Sequence, residues 1–360
     1  MAFLLLLAAW LPLFDGKSLT GWRHEGPRPS FHTSNSELRT SGRASAGNWI
    51  HTSAEYENFR LRFDYKLTQW AEAAVLLRAA RSERPQHTGV TLVLAHDYHR
   101  DLNAQTRRWI TGALMDAVEP KTLLPASYDQ WHKVEIDLRG TALKASIDGT
   151  VVQDLDLSSV PGLGHRLRRG VIGFPDMGYG YALRNLELDD LGAPTKFVEL
   201  TTIAGWGRRG NSGEWRAHDG VIEGMNGDSI LYAPPVFQDF KLSAVVRTHD
   251  RVNSGIFLRG QPEGPNRGFE VQIYSPVDGV FQTGSVYGLR RSSLESDLEG
   301  RWFLLQIRVH GPRCTVWVDG RQTADFDQLP PALQAPGRIG LQIHSPDTRV
   351  EFRDLRIHEL

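Results

Sequence analysis

Cysteine is almost absent from this sequence, which has Cys314 alone among 360 residues. A single thiol can form neither an intrachain disulfide nor a cysteine-based zinc site, so both are excluded. Cys314 lies in the run 313–318, whose β-branched and aromatic residues predict a strand. We therefore expect Cys314 to be a small, half-buried side chain rather than a nucleophile.

An excess of charge of one sign is also missing, because the formal net charge is only -1. A strongly basic chain would indicate nucleic acid or an anionic membrane surface as a partner. Apolar residues make up 40% and charged residues 23% of the chain, as in ordinary globular proteins. We therefore expect no nucleic-acid partner and a neutral ligand.

The apolar run from Phe3 to Ala9 is far too short to cross a bilayer, so no membrane span is predicted. The run resembles the apolar core of a secretory signal, although no Lys or Arg precedes it. We expect residues 1–10 to be a truncated signal segment of a periplasmic or extracellular protein. The alternative is that the run is the first strand of the fold, which would predict a cytoplasmic protein.

The chain contains an internal repeat whose matches keep the same order in both halves, which predicts a tandem duplication. The joint falls near the linker-like tripeptide at 192–194. The predicted domains are therefore residues 11–192 and residues 196–360. The matching segments are Gly21-Trp22 with Gly205-Trp206, Val75 to Arg78 with Ile256 to Arg259, Thr111 to Leu114 with Thr283 to Val286, and Trp131 to Gly149 with Trp302 to Gly320.

Long amphipathic helices are missing, and each copy instead shows runs of five to eight residues with strand character between turn clusters. The dipeptides Asp148-Gly149 and Asp319-Gly320 each predict a tight hairpin between alternating runs. Each copy is therefore predicted to be an all-β, two-sheet sandwich or jelly roll. The concave sheet of such a fold is a usual place to bind a sugar.

Polar side chains and strand pattern coincide in the second copy, over the segments 253–260, 268–274 and 283–288. Because strand side chains alternate, Glu270, Gln272 and Tyr274 share one face of the predicted strand 269–274. Arg259, at the end of the neighbouring strand, is expected to bring a cation to the same surface. The alternative is a solvated face on which Glu270 and Arg259 form an ordinary ion pair.

The two copies differ where this chemistry would lie. Thr91 stands where the second copy has Glu270, and Val93 stands where it has Gln272. This asymmetry favours a function for the polar residues and makes the second copy the better candidate for an active site. The first copy keeps its own polar cluster, which is either a metal site or a solvated loop: His96, Asp97, His99 and Asp101.

The segment 13–22, Leu-Phe-Asp-Gly-Lys-Ser-Leu-Thr-Gly-Trp, resembles the opening signature of the 3-keto-disaccharide hydrolase domain. That family has a concanavalin-A-like jelly roll related to family 16 glycoside hydrolases. The second copy lacks this opening but carries the other blocks of the family, with Ile343 where many relatives have Asp before His344. The resemblance implies two tandem concanavalin-A-like jelly-roll β-sandwiches. The blocks in question are residues 253–259, 268–273, 283–288, 339–344 and 352–357.

The resemblance also implies hydrolysis of 3-keto-glycosides or 3-keto-disaccharides by an exported bacterial protein. A ketone at C3 acidifies the C2 proton, so a base can drive elimination at C1, and water then adds to the enone. We expect Glu270 to act as the base, Arg259 to stabilise the enolate, and His344 to protonate the leaving oxygen. A divalent metal on Glu270 and His344 is the alternative to Arg259. The expected sugar-binding residues are Gln272, Tyr274, Tyr287, Asn253 and Trp206.

Two other classes of function stay open. A non-catalytic, lectin-like carbohydrate-binding module would use the same fold without turnover. A structural or interaction domain of an envelope system would have no affinity for glycans.

Overall fold

The structure is a computed structural model that describes residues 10–42, 47–95, 106–249, 251–276, 279–294 and 298–360. The apolar run from Phe3 to Ala9 lies outside the described residues, so the prediction of an export signal stays a prediction. The polar cluster at His96, Asp97, His99 and Asp101 lies outside them as well. In the part of the chain that is described, no helix has the length and apolar character that crossing a membrane requires.

The chain divides into two compact units, Met1–Thr195 and Lys196–Leu360. The described residues form strands and short 3-10 turns, with no α-helix among them, which confirms the all-β prediction. The four 3-10 turns are Pro85–His87, Thr106–Arg108, Leu157–Ser159 and Pro331–Leu333.

Unit 1 is a sandwich of two antiparallel sheets. The first sheet has the order β11-β10-β9-β6-β13-β4-β3, with β1 paired to β13, and the second has the order β2-β5-β12-β7-β8. The strands are β1 Leu11–Pro12, β2 Trp22–Glu25, β3 Phe31–Ser34, β4 Glu37–Thr40, β5 Trp49–Thr52, β6 Phe59–Leu67, β7 Glu72–Ala79, β8 Val90–Ala95, β9 His132–Arg139, β10 Ala142–Ile147, β11 Thr150–Asp156, β12 Val171–Pro175 and β13 Tyr181–Asp190.

Unit 2 repeats this arrangement with fewer and longer strands. One layer, here called the site sheet, runs in the order β15-β17-β24-β19-β20, and the opposite sheet runs β16-β17-β24-β18-β21-β22-β23. The strands are β14 Val198–Glu199, β15 Gly207–Arg209, β16 Glu214–His218, β17 Val221–Phe237, β18 Phe240–Thr248, β19 Asn253–Gly260, β20 Phe269–Tyr274, β21 Trp302–His310, β22 Arg313–Val318, β23 Arg321–Phe326 and β24 Gly337–Glu359.

Two strands of unit 2 belong to both of its sheets. Residues 221–225 of β17 pair with residues 349–353 of β24 in the opposite sheet. Further along, residues 227–232 of β17 pair with residues 340–345 of β24 in the site sheet. The corresponding strands of unit 1 are separate, because β4 and β5 are distinct, as are β12 and β13. Continuous backbone therefore joins the two layers of unit 2 at two places.

The hydrophobic core of each unit lies between its two sheets. In unit 1, Phe63 of one sheet meets Phe174 of the other with ring centroids 5.3 Å apart. In unit 2, Val271 of the site sheet and Phe303 of the opposite sheet belong to one buried cluster. Full burial of a Val, Leu or Phe side chain contributes about 1.5–3 kcal/mol, so these clusters supply much of the stabilisation of each sandwich.

The predicted Asp-Gly hairpins lie between β10 and β11 and between β22 and β23. Both residues of each pair have positive φ, with 49° and 78° at Asp148 and Gly149, and 44° and 72° at Asp319 and Gly320. This is the backbone of the type I′ turn, which matches the twist of a two-residue hairpin. The turn chemistry thus fixes the register of the outer strands in both units.

Candidate functional site

A cleft of about 560 Å³ lies on the face of the site sheet that points away from the core. Its volume falls in the range of roughly 300–1,000 Å³ that small-molecule sites occupy. The alternation of β20 explains its floor, since Phe269, Val271 and Ile273 are buried in the core and Glu270 and Gln272 face the cleft. The lining residues are Asp228, Asn253, Phe257, Arg267, Gly268, Phe269, Glu270, Gln272, Tyr287, Gly288, Leu289, Leu333, Gln342 and His344.

Strand register arranges the floor of the cleft in rows across the sheet. In the middle row, Gly255 of β19 lies opposite Gln342 of β24 on one side and Gln272 of β20 on the other. The next row places Glu270 opposite Phe257. A sheet spaces neighbouring strands by about 4.8 Å, so three polar side chains converge over one narrow strip of backbone.

Glu270 is the most perturbed group of the cleft. Burial raises the pKa of its carboxyl group to about 8, and the nearby cation Arg267 offsets only part of that effect. Its Oε1 atom is buried and has no hydrogen-bond partner among the described residues. A buried carboxyl oxygen without a partner is costly unless a ligand completes its contacts, and such atoms are typical of functional sites.

Two amide side chains beside Glu270 also have a buried oxygen without a hydrogen-bond partner. The Oε1 atoms of Gln272 and Gln342 are buried and without a hydrogen-bond partner in the described part of the chain. Gln272 is held in place because its Nε2 donates to Asn253 Oδ1 at 3.2 Å. Glu270, Gln272 and Gln342 all line the cleft, so three acceptor oxygens without a partner among the described residues lie at its floor.

The loop after β20 forms one wall of the cleft. Tyr287 donates its backbone N–H to the carbonyl of Glu270 at 2.9 Å, which fixes the loop against the edge of the sheet. The Tyr287 side chain is 53% exposed and contacts Phe281, with ring centroids 5.2 Å apart. An exposed aromatic face at the rim of a polar cleft can stack on the apolar face of a sugar ring.

His344 and Asp228 form the open end of the cleft. His344 Nδ1 lies 3.8 Å from Asp228 Oδ1, and the two side chains are 51% and 64% exposed. Glu270 lies on β20, and β19 separates it from β24, which carries His344. The carboxyl and imidazole groups therefore approach a ligand from different sides.

The cleft brings together five of the residues that the sequence indicated: Glu270, His344, Gln272, Tyr287 and Asn253. Trp206 lies elsewhere, because it is half-buried against the core of unit 2. Tyr274 is also outside the cleft, although it has the expected parity on β20, since its ring lies against Gly279. Neither aromatic residue lines this cleft, so their predicted contact with a sugar stays a prediction.

The expectation for Arg259 is wrong in its geometry. Its guanidinium is fully buried and donates to the backbone carbonyls of Gln238 and Gly311 and to the carboxylate of Asp239. Arg78 does the same in unit 1, where it donates to the carbonyls of Glu57 and Gly140. Arg259 is thus part of the scaffold, and Arg267 is the cation that lines the cleft.

The family comparison gives two matches within the chain. The profile of the 3-keto-alpha-glucoside-1,2-lyase-like domain matches residues 9–189 and again residues 196–358. The chain belongs to this family. Comparison with curated protein sequences found no match.

Solved structures similar to single lyase-like domains of this chain include a candidate glycosyl hydrolase and a carbohydrate-binding module. A candidate glycosyl hydrolase from Parabacteroides distasonis ATCC 8503 is 18% identical, covers 51% of this chain and 94% of its own, and has a TM-score of 0.45. The carbohydrate-binding module CBM66 from Bacillus subtilis is 18% identical, covers 45% of this chain and 100% of its own, and has a TM-score of 0.37. Membership of the lyase-like family indicates a carbohydrate-active protein.

The corresponding face of the first lyase-like domain has a different character. Thr91 pairs with Leu76, and Val93 pairs with Ala74, where the second domain has Glu270 opposite Phe257 and Gln272 opposite Gly255. Leu76 is buried in an apolar cluster with Trp49, Ala79 and Val171. In the described residues, this face carries no counterpart of the three converging oxygens.

The second lyase-like domain offers oxygen atoms, rather than a ready set of metal ligands. Among the residues that the structure describes, no three His, Cys, Asp or Glu side chains come together in a way that could hold a metal ion. Carboxylate and amide oxygens are nevertheless ligands for hard cations, so Glu270, Gln272 and Gln342 are the groups that could contact one. The predicted metal on Glu270 and His344 stays a prediction, which a chelator tests.

Sequence reasoning did not single out several lining residues of the cleft, among them the polar or charged Asp228, Arg267 and Gln342. Gln342 could have been found, because it lies two positions before His344 on one strand and therefore shares its face. Arg267 belongs to the connection between β19 and β20, where no periodic pattern indicates the direction of a side chain.

The stability of the second domain is expected to fall as pH rises from about 4.5 to about 8. In that window folded Glu270 still holds a proton that the unfolded chain has released, so the folded state binds more protons. The loss amounts to a few kcal/mol, since each unit of pKa difference corresponds to about 1.4 kcal/mol. Denaturant titrations at several pH values in this window give the free energy of unfolding as a function of pH. This free energy should fall less steeply with pH for Glu270→Gln than for the wild type. Equal pH dependence in the two proteins would contradict the raised pKa of Glu270.

Proposed function

We propose that the second domain cleaves glycosides that carry a ketone at C3, by eliminating the group at C1 and hydrating the product. The observation that carries this proposal is the half-buried Glu270 side chain in the cleft, whose Oε1 atom is buried with no hydrogen-bond partner in the described residues and whose pKa is about 8. A base with such a pKa is suited to removing a weakly acidic C–H proton near neutral pH.

The first step would be removal of the proton on C2, which the adjacent C3 ketone acidifies. Glu270 accepts this proton, and the electron pair of the C2–H bond moves toward the C3 oxygen to form an enolate. Arg267, which lines the same cleft as Glu270, is placed to stabilise that negative charge. The enolate then expels the oxygen substituent of C1, leaving a double bond between C1 and C2.

The leaving oxygen needs a proton, and His344 is the group we assign to this role. His344 lies at the open end of the cleft beside Asp228, whose carboxylate can orient the imidazole ring. Addition of water across the C1–C2 double bond completes the hydrolysis. The net reaction consumes one water and releases the C1 substituent and the 3-keto sugar.

The amide side chains and the exposed tyrosine of the cleft are assigned to substrate binding. Gln272 and Gln342 present buried Oε1 atoms to sugar hydroxyl groups, and Asn253 holds Gln272 in place. The exposed ring of Tyr287 provides a surface on which a sugar can stack. The oxidised disaccharide or glycoside is thereby bound on its hydroxyl edges and one apolar face.

The second candidate is a non-catalytic carbohydrate-binding module. The same unpaired oxygens and the same exposed Tyr287 would serve a sugar that is only bound. The two functions differ in what Glu270 contributes, because a binding site loses affinity on its removal whereas an enzyme loses turnover.

The deciding experiment measures product release from 3-keto-trehalose and from unoxidised trehalose, each with and without EDTA. We expect turnover of the 3-keto sugar alone, because only that sugar has an acidified C2 proton. Loss of turnover in EDTA would assign the electrophilic role to a metal ion rather than to Arg267. Binding of both sugars without turnover of either would overturn the enzymatic proposal in favour of the binding module.

A further inference from the structure

Gly255 lies at the centre of the cleft floor, in register with Gln272 and Gln342. A Cβ atom at this position would lie 2.1 Å from Glu270 Oε1 and 2.7 Å from both Cγ and Cδ of Glu270. The three atoms that would lie nearest to a side chain at position 255 therefore all belong to Glu270. Gly255 is not among the glycines with positive φ, so its backbone does not require glycine. Space for Glu270, rather than chain conformation, accounts for the residue.

The first domain provides an internal comparison. Ala74 occupies the register position of Gly255, is fully buried, and lies in a domain where Thr91 replaces Glu270. An alanine is therefore compatible with this strand when no glutamate lies over it. By contrast, Gly340 has its equivalent in Gly173, and at both a Cβ would meet an aromatic ring within 2.8 Å.

We propose that Gly255 is a positioning residue that lets the Glu270 carboxyl group lie flat over the β19 backbone, between Gln272 and Gln342. The effect of Gly255 on catalysis rests on the proposed function, but the contact between position 255 and Glu270 can be tested separately. A methyl group at position 255 would push the carboxyl group off the sheet and toward water. Displacement of a reacting group by about 1 Å can cost a factor of about 100 in rate.

A stability cycle tests the contact without any substrate. Gly255→Ala is expected to lower Tm by about 2–4 °C or more in the wild-type background, because the methyl group overlaps Glu270. In the Glu270→Ala background the same change should leave Tm unchanged or raise it, since alanine restricts the unfolded chain more than glycine does. An equal loss of Tm in both backgrounds would mean that Gly255 serves the backbone alone, and would overturn the proposal.

The pKa of the Glu270 carboxyl group gives a second readout. It is measured by a pH titration monitored with infrared difference spectra, with Glu270→Gln as the reference. Burial holds this pKa near 8 in the wild type. Moving the carboxyl group toward water in Gly255→Ala is expected to lower its pKa by roughly one unit or more. The pH at which kcat/KM reaches half its plateau should fall by the same amount. An unchanged pKa in a folded Gly255→Ala protein would contradict the proposal.

The two tests separate this inference from the proposed function. If the wild type turns over no 3-keto sugar, the enzymatic proposal fails, while the Tm cycle and the carboxyl titration still decide whether Gly255 positions Glu270. If the wild type is active, Gly255→Ala should lose about tenfold or more in kcat/KM. Ala74→Gly, at the matching position of the first domain, should leave kcat/KM unchanged.

Discussion

Glu270→Gln is expected to lower kcat for a 3-keto-glycoside by a factor of about 10²–10⁴, the usual contribution of a positioned general base. The substitution keeps the size and the polar character of the side chain but removes the group that accepts the C2 proton. Its Oε1 atom still faces the cleft, so affinity for the sugar should change much less than kcat. Steady-state kinetics and a binding titration on the same preparation measure the two effects separately.

The first domain, which matches the same family as the second, supplies a matched control for this variant. Thr91 holds the register position of Glu270 in the first domain and donates its hydroxyl to the carbonyl of Gln86 at 2.8 Å. Thr91→Ser keeps that hydrogen bond and should leave kcat within a factor of about two, because the first domain carries no proposed base. A larger loss of kcat in Thr91→Ser than in Glu270→Gln would move the active site to the first domain.

Arg259→Met and Arg267→Met are expected to separate stability from activity. Removing the buried guanidinium of Arg259 takes a donor from three backbone carbonyls and from the Asp239 carboxylate, which keeps only the Gly311 N–H as a hydrogen-bond donor among the described contacts. The expected cost is about 3–5 kcal/mol in the free energy of unfolding, as for other broken buried ion pairs. The fraction of Arg259→Met that stays folded should retain the turnover of the wild type, which an active-site titration would establish.

Arg267→Met should behave in the opposite way. Arg267 is exposed, so its loss should change the free energy of unfolding by less than about 0.5 kcal/mol. Turnover should fall roughly tenfold to a hundredfold, which is less than for an enclosed oxyanion donor because water partly replaces the cation. If instead Arg259→Met abolished turnover in a stably folded protein, the original assignment of Arg259 would be restored.

The sequence allowed the strands of the site to be predicted because their patterns are regular. The alternation in residues 269–274 placed Glu270 and Gln272 on one face, and the structure has a strand at Phe269–Tyr274. The same rule failed at Arg259, whose φ of 55° and the nearby register shift turn its side chain out of the alternation. Alternation predicts direction only where the backbone stays extended.

A better signal for Arg259 came from comparing the two predicted copies. Arg78 matches Arg259 in the first copy. That copy has Thr91 and Val93 in place of Glu270 and Gln272, so it keeps the arginine without the carboxyl and amide groups. A residue shared by both copies belongs to what they have in common, which is the scaffold. Residues that differ between the copies, such as Glu270 and Gly255, distinguish the cleft of the second domain from the corresponding face of the first.

The continuity of β17 and β24 has a consequence for how the cleft responds to a ligand. Each of these strands runs through both layers of unit 2, so their site-sheet segments cannot tilt without moving the segments that close the opposite side of the core. The floor that carries Gln342 and His344 is therefore expected to be rigid, and adaptation to different sugars would fall to the wall that carries Tyr287. In the first unit the corresponding segments are separate strands, so we expect the two layers there to be coupled less directly.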